Sequence, residues 1–335
     1  MPKRRSAAES GEDRLIARYF KPLARHPGAL GLGDDAAVLA PPNGHELVLT
    51  ADAIVGGVHF FLDDPADSIA RKALRVNLSD LAAKGAKPAG FLLTLALPKE
   101  LGDGWLKKFA QGLGADARRF NCPLLGGDTV RTPGPATISI MAMGALPKGS
   151  MIRRAGARPG DHVIVTGTIG DAALGLKLRT EKGAARRWAL TSPMQKHLAS
   201  RFLVPEPRNA VAEALRNHAS AAMDVSDGLA GDLGKLLRAS GVGADIEVSR
   251  IPLSAAAQTA VDADPPAIET ILTGGDDFEV VATIPPRKLR SFIAAARRAR
   301  VQVTEIARVI PGQGAQFLDA DGRPLRFKRA SFSHF

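Results

Sequence analysis

Six times along this 335-residue chain an aspartate stands beside glycine or where an apolar run stops. The sites are Gly33-Asp34-Asp35, Thr50-Ala51-Asp52, Asn77-Leu78-Ser79-Asp80, Gly126-Gly127-Asp128, Asp224-Val225-Ser226-Asp227 and Gly274-Gly275-Asp276-Asp277. Carboxylates at the ends of buried strands are suited to holding hard cations against phosphate oxygens. Adjacent acids such as Asp34 and Asp35 need a cation or solvent. Two charges about 4 Å apart repel by ~1 kcal/mol in water and ~4 kcal/mol at an effective dielectric of 20. Taken singly, each such aspartate is more often a turn or helix cap than a ligand, and Asp227 precedes a helix that it could simply cap. Six sites in one chain favour a shared role, provided the fold gathers them.

Other phosphate and nucleophile signatures are missing. The chain has no Gly-x4-Gly-Lys-Ser/Thr loop, no Gly-x-Ser-x-Gly elbow, no His-Glu-x-x-His helix and no Cys-x-x-Cys pair. The turn Val165-Thr166-Gly167-Thr168-Ile169-Gly170-Asp171 comes nearest to a glycine loop, and a structural turn is its better reading. His59 follows Gly56-Gly57 and precedes Phe60-Phe61, and the residues alone leave it open between packing and function. Arg154 either pairs with a phosphate or faces water, and without context the solvated reading is preferred.

Positioning these side chains takes a substantial scaffold. The length predicts two domains, and the 45% hydrophobic content with only 5% aromatic residues predicts cores of Ala, Val, Leu and Ile. The single cysteine, Cys122, excludes an intrachain disulfide and a Cys-rich zinc site. No apolar run approaches the ~20 residues of a membrane span, and the N-terminus lacks a signal core, so a soluble, cytoplasmic protein is expected. The net charge of +11 is spread over scattered basic pairs, with one Tyr and two Trp in the chain. This favours a solvated basic surface over specific nucleic-acid recognition.

Periodicity and punctuation then place the elements. Helices are expected over residues 11–24, from Asp67 as N-cap to Lys84, and over 103–119, 208–218, 227–239 and 286–300, with another opening at Gly170. Strands are expected at 37–39, 47–49, 90–97, 122–125 (ending in Gly126-Gly127-Asp128), 137–145, 162–166, 221–225, 278–284 and 303–309. The Pro-, Gly- and Arg-rich stretch 147–161 marks a domain boundary, giving residues 1–150 and 151–335. Strands and helices mix in both halves. The fold class is therefore α/β (α+β), each domain a mixed sheet with helices packed on it.

The order and spacing of the motifs resemble the thiamine-monophosphate kinase family from Arg14 nearly to Phe335. The carriers are residues 31–39, Thr50-Ala51-Asp52 through Gly57-Val58-His59-Phe60, residues 77–86, Gly126-Gly127-Asp128-Thr129, Arg154-Ala155-Gly156-Ala157, residues 165–171, Asp224-Val225-Ser226-Asp227-Gly228-Leu229 and Gly274-Gly275-Asp276-Asp277-Phe278-Glu279. The resemblance implies transfer of the ATP γ-phosphate to thiamine monophosphate, the last step in making thiamine diphosphate. It implies the fold shared with aminoimidazole ribonucleotide synthetase and selenophosphate synthetase, and a homodimer paired through N-terminal sheets. The first domain would bind ATP and magnesium and dimerise, and the second would complete the nucleotide and substrate site. Carried over by motif, Asp35, Thr50, Ala51, Asp52, Asp80, Asp128, Asp224 and Asp227 match ligands of several Mg2+ ions. Gly127, Asp128, Arg154 and Ser226 match ATP contacts, and His59, Asp276 and Phe332 match substrate contacts. No residue is assigned as general base.

Two departures stand out. Ala51 replaces the family's usual Thr, leaving only a main-chain carbonyl. Asp276-Asp277-Phe278-Glu279 replaces Glu-Asp-Tyr-Glu, and a bridging water can span the gap left by the shorter Asp276. Among rivals of the same fold, selenophosphate synthesis needs a reactive Cys in an N-terminal Gly-rich loop, and Cys122 lies elsewhere. A purine cyclo-ligase is set aside by the motif match alone. A basic nucleotide- or RNA-binding protein without catalysis fits poorly with six intact acidic sites.

Overall fold

The apolar runs of the first half pair into one sheet and those of the second half into another. The computed structural model describes residues 11–329 and residue 331. Strands β1 (His45–Val55), β2 (Lys87–Leu97), β3 (Leu124–Arg131) and β4 (Thr137–Pro147) form a four-stranded sheet in the order β1-β4-β2-β3. Strands β5 (His162–Thr166), β6 (Ala221–Val225), β7 (Gly243–Glu247), β8 (Glu279–Ile284), β9 (Val303–Ile310) and β10 (Gly314–Leu318) form a six-stranded sheet in the order β10-β7-β9-β5-β8-β6. This second sheet is mixed: β10 runs parallel to β7, and the other pairs are antiparallel. Strands β5, β6 and β8 are buried at every position, as continuous apolar runs require.

The helices are α1 (Gly11–Leu15), α2 (Ala66–Ala83), α3 (Asp103–Arg119), α4 (Asp171–Thr180), α5 (Ala184–Arg187), α6 (Ser192–Leu203), α7 (Ala212–His218), α8 (Leu229–Ser240), α9 (Ala255–Ala263), α10 (Ala267–Thr273) and α11 (Pro286–Arg298). The chain has a two-domain α/β architecture. It divides into two compact units, the first holding Ala51–Leu74, Pro88–Met143 and the described part of Met1–Pro41, the second holding Pro42–Thr50, Arg75–Lys87 and the described part of Gly144–Phe335. In the second unit the core is mostly aliphatic, built on Val163, Val165, Leu174, Leu233, Leu237, Ile271 and Val281, with Trp188 and Phe317 among its buried aromatics.

Several expectations are corrected. Residues 37–39 are not a strand: Val38 is exposed, and its amide is satisfied by the Gly28 carbonyl at 2.8 Å. The expected helix over 11–24 tightens and loosens instead, passing from α1 into a π turn at Ile16–Phe20 and a 3-10 turn at Lys21–Leu23. Asp67 sits inside the first turn of α2 and is not its N-cap. Asp227 does not begin α8 either; Gly228 precedes the first helical residue, Leu229. The sequence reading also passes over α5, α6, α9, α10, β7 and β10. Apart from α6, these are short or alanine-rich, and α6 buries only Leu198 and Phe202, so its apolar face contrasts little with the rest.

Candidate active site

Two of the acids expected at strand ends lie inside strands. Asp52 is on β1 and Asp128 on β3, because the ladders continue past the apolar residues. In the parallel β2–β3 pair Asp128 is opposite Thr94, and Gly127 is opposite Leu93. Gly127 has φ +158°, and a Cβ there would stand 1.8 Å from the Leu93 carbonyl oxygen. Only glycine lets the two backbones approach this closely. The tight seam fixes where β3 presents Asp128.

In the first unit Asp35 and Asp128 line one cavity of about 640 Å3, which also takes in Asp34, Gly127, Leu92 and Thr94. All three carboxylates are exposed. Asp34 accepts the Asp35 amide at 2.8 Å, and Asp128 accepts the Thr129 amide at 2.8 Å, so local backbone bonds orient them. His59 lies in the turn after β1. Its Nδ1 accepts the Val55 amide at 3.0 Å, which leaves Nε2 as the ring's donor, and its carbonyl receives the buried Lys72 ammonium at 2.8 Å. Asp52 is exposed on β1. Ala51 points to the opposite face of that strand, so its side chain cannot share a role with Asp52.

In the second unit Thr50 donates a hydrogen bond to Asp80, near the end of α2. One turn later Lys84 lays its ammonium 2.9 Å from the Ala222 carbonyl on β6. Ala222 and Asp224 lie on the same face of β6, two residues apart. Lys84 therefore shares its surroundings with Asp224, Asp80 and Arg154. Burial pushes its pKa down, Asp224 and Asp80 support its charge, and Arg154 opposes it. The Lys84 carbonyl also receives the Ile152 amide at 3.3 Å, and the Arg153 carbonyl receives the Ala222 amide at 3.1 Å. These bonds tie the segment carrying exposed Arg154 to α2 and β6.

Beyond β6 the chain turns through Ser226 and Asp227, and buried Asp232 accepts both amides, at 3.0 and 2.9 Å. Lys235 bridges Asp227 at 2.6 Å and Asp232 at 2.9 Å. Burial raises the Asp232 pKa, with Lys235 and the Asp227 amide pulling the other way. Burial works against the Lys235 charge too, but its bonds to Asp227 and Asp232 outweigh that and hold its pKa above normal. The Ser226 carbonyl receives the Asp276 amide at 2.8 Å, so the expected nucleotide and substrate contacts are joined through backbone.

Asp276 and Asp277 part company. Asp276 is half-buried with φ +73°, while Asp277 is 1% exposed. Its carboxylate accepts the Gly170 amide at 2.8 Å, so the 165–171 turn is closed from inside by a side chain. The structural reading of that turn holds. Glu279 is likewise internal, held by Arg208, Arg201 and Thr166. Phe332 lies outside the described residues. Among the described residues no group of three or more His, Cys, Asp or Glu side chains is assembled as a metal site. The acids gather instead as Asp35 with Asp128 in one unit and, in the other, as Asp80 (held by Thr50) and Asp224 around Lys84, with Asp227 on Lys235.

The sequence reading overlooked Lys84, Asp232 and Lys235. Their signal was available in part: Lys84 follows Asp80 by one helical turn, and Asp232 and Lys235 lie one and two turns beyond Asp227.

Comparisons with known proteins bear on the chain as a whole. The AIR synthase related protein N-terminal domain matches residues 33–146, and the corresponding C-terminal domain matches residues 158–319. A thiamine-monophosphate kinase of Caulobacter vibrioides is 42% identical over 327 residues, covering 96% of this chain and 91% of that relative. The chain belongs to the thiamine-monophosphate kinase family. The crystal structure of a thiamine-monophosphate kinase from Stenotrophomonas maltophilia K279a is similar, with a TM-score of 0.82 and 38% identity, over 93% of this chain and 96% of that one. A structure of AaThiL complexed with AMPPCP and TMP has a TM-score of 0.76 and 31% identity, over 90% of this chain and 91% of that one.

Membership in the kinase family agrees with the state of Cys122. Its thiol is buried, and burial pushes its pKa up to about 12. Such a thiol is a poor nucleophile at neutral pH.

Proposed function

We propose that this chain transfers the γ-phosphoryl group of ATP to the phosphate of thiamine monophosphate, giving thiamine diphosphate. The observation that carries the reading is the near full-length likeness to a named kinase of that activity, at 42% identity. The ligands of the AaThiL structure, AMPPCP and TMP, are of the expected two kinds.

The acceptor phosphate is largely ionised at neutral pH, so transfer is an electrostatic problem and needs no general base. The donor set fits magnesium by its chemistry: the carboxylates Asp35, Asp52, Asp80, Asp128, Asp224 and Asp227, the Thr50 hydroxyl and the Ala51 carbonyl are all hard oxygens. Bound Mg2+ would neutralise phosphate charge on both reactants. Arg154 and the Gly127, Asp128 and Ser226 segments would hold the nucleotide, and His59, Asp276 and Phe332 the thiamine phosphate. Thr50 orients Asp80, and Asp232 orients the Ser226–Asp227 turn.

The reading extends to organisation. The first domain ends near residue 150, and the second begins at 151. The protein works as a homodimer through its N-terminal sheet, where Leu49 on β1 and Met141 on β4 are 59% and 39% exposed. No helix among the described residues is long and apolar enough to cross a membrane, which supports a cytoplasmic placement.

A coupled assay with ATP, Mg2+ and thiamine monophosphate, run beside aminoimidazole precursors, tests the activity. Thiamine diphosphate formed only with thiamine monophosphate is expected. Turnover with the aminoimidazole precursor alone would replace this reading with the cyclo-ligase.

A further inference from the structure

The carboxylate of Asp227, a candidate ligand, holds a lysine in a direct ion pair. The Lys235 ammonium stands 2.6 Å from Asp227 Oδ2 and 2.9 Å from Asp232 Oδ1. Asp232 is fully buried, and its other oxygen accepts the Ser226 and Asp227 amides. Asp232 is therefore anchored and cannot follow a departing lysine, whereas Asp227 and Lys235 are 40% and 33% exposed and free to exchange partners.

An ammonium and a divalent cation seek the same lone pairs of one carboxylate, and each repels the other. Lys235 also cannot swing far into solvent without leaving Asp232 buried and unpaired, which holds the competing charge close to the turn. We infer that Lys235 is an internal counter-cation that competes with divalent metal for Asp227 and so sets how tightly this part of the site takes Mg2+. The inference rests on the proposed role of Asp227 as a metal ligand. It makes Lys235 a positioning residue, acting through Asp227.

The test is titration of the full-length protein with Mg2+ alone, followed by calorimetry and by melting temperature. Lys235→Met is expected to lower the Mg2+ midpoint about threefold or more, the scale of a partly exposed ion pair. Lys235→Arg, which keeps the charge, is expected to return it toward the wild-type value. If Lys235→Met folds poorly, Lys235→Gln removes the charge while keeping a donor to Asp232. Loss of stability without a lower midpoint would mark Lys235 as merely structural and overturn the inference. Asp227→Asn separates the two layers: a midpoint unchanged by that substitution removes Asp227 from the metal ligands. A midpoint raised by Asp227→Asn but unmoved by Lys235→Met defeats the competition alone.

Discussion

Asp277 accepts a 2.8 Å hydrogen bond from the amide of Gly170, 107 residues away in sequence, and so closes the N-terminus of α4 from within the protein. Its neighbour Asp276 stays half-exposed. Burial pushes the Asp277 carboxyl well above the ordinary range, with the Gly170 bond and Arg201 pulling down and Asp171 and Glu279 pushing further up.

A pH dependence follows. The folded pKa of Asp277 lies above its unfolded value, so the folded state keeps this proton longer. The associated stability is complete below the ordinary carboxylate pKa of about 4 and is lost as pH rises through the folded value. Asp277→Asn keeps a carbonyl acceptor for Gly170 and cannot ionise. Its stability relative to wild type is expected to increase from about pH 4 toward neutrality, in urea unfolding at a series of pH values. A difference that stays constant with pH would contradict the assignment.

Glu279 supplies a stability test. It is 0% exposed, bonded by Arg208 Nε at 2.5 Å, by Arg208 Nη2, by Arg201 at 3.0 Å and by Thr166 at 2.7 Å. Removing one partner of a buried ion pair leaves the others uncompensated and costs about 3–5 kcal/mol. Glu279→Gln is expected to fall in that range by denaturant midpoint. A loss under about 1 kcal/mol would show that the arginines find other partners.

Gly127→Ala tests the seam between β2 and β3. The added methyl would meet the Leu93 carbonyl at 1.8 Å, and backbone on both sides would have to part. A loss of at least ~2 kcal/mol in stability is expected, together with weakened nucleotide binding through displaced Asp128. Wild-type melting and nucleotide affinity together would exclude the close approach.

Asp80→Asn tests the site itself. The substitution keeps a side-chain oxygen for Thr50 but removes the charge facing Lys84. Turnover at saturating Mg2+ is expected to fall about 100-fold or more, the scale of one lost electrostatic contact to a transferring phosphoryl group. Near-normal turnover would remove Asp80 from the machinery.

Much of the scaffold was legible because its signals are local. The helix over 103–119 and the strands at 162–166 and 221–225 appear at the expected bounds. The helix has a clear apolar period after Gly102, and the two strands are short, nearly continuous apolar runs. Residues 37–39 misled because a run of three apolar residues says nothing of whether a ladder partner exists; the Val38 amide found Gly28 instead. Asp128 was read at a strand end because glycines usually stop strands, yet here Gly127 permits the close pairing that carries β3 onward.

By itself the sequence determined the chemistry: hard oxygen donors at six places, no P-loop lysine, a single cysteine, and a motif order belonging to one kinase family. Residue type and spacing carry that information directly. Only the tertiary structure decided which acids are exposed and which are internal props, and which lysines stand against them. Asp277 and Lys84 acquire their roles from Gly170 and Ala222, which lie 107 and 138 residues away. Burial and pairing between such distant positions arise from packing and leave no periodic trace along the chain.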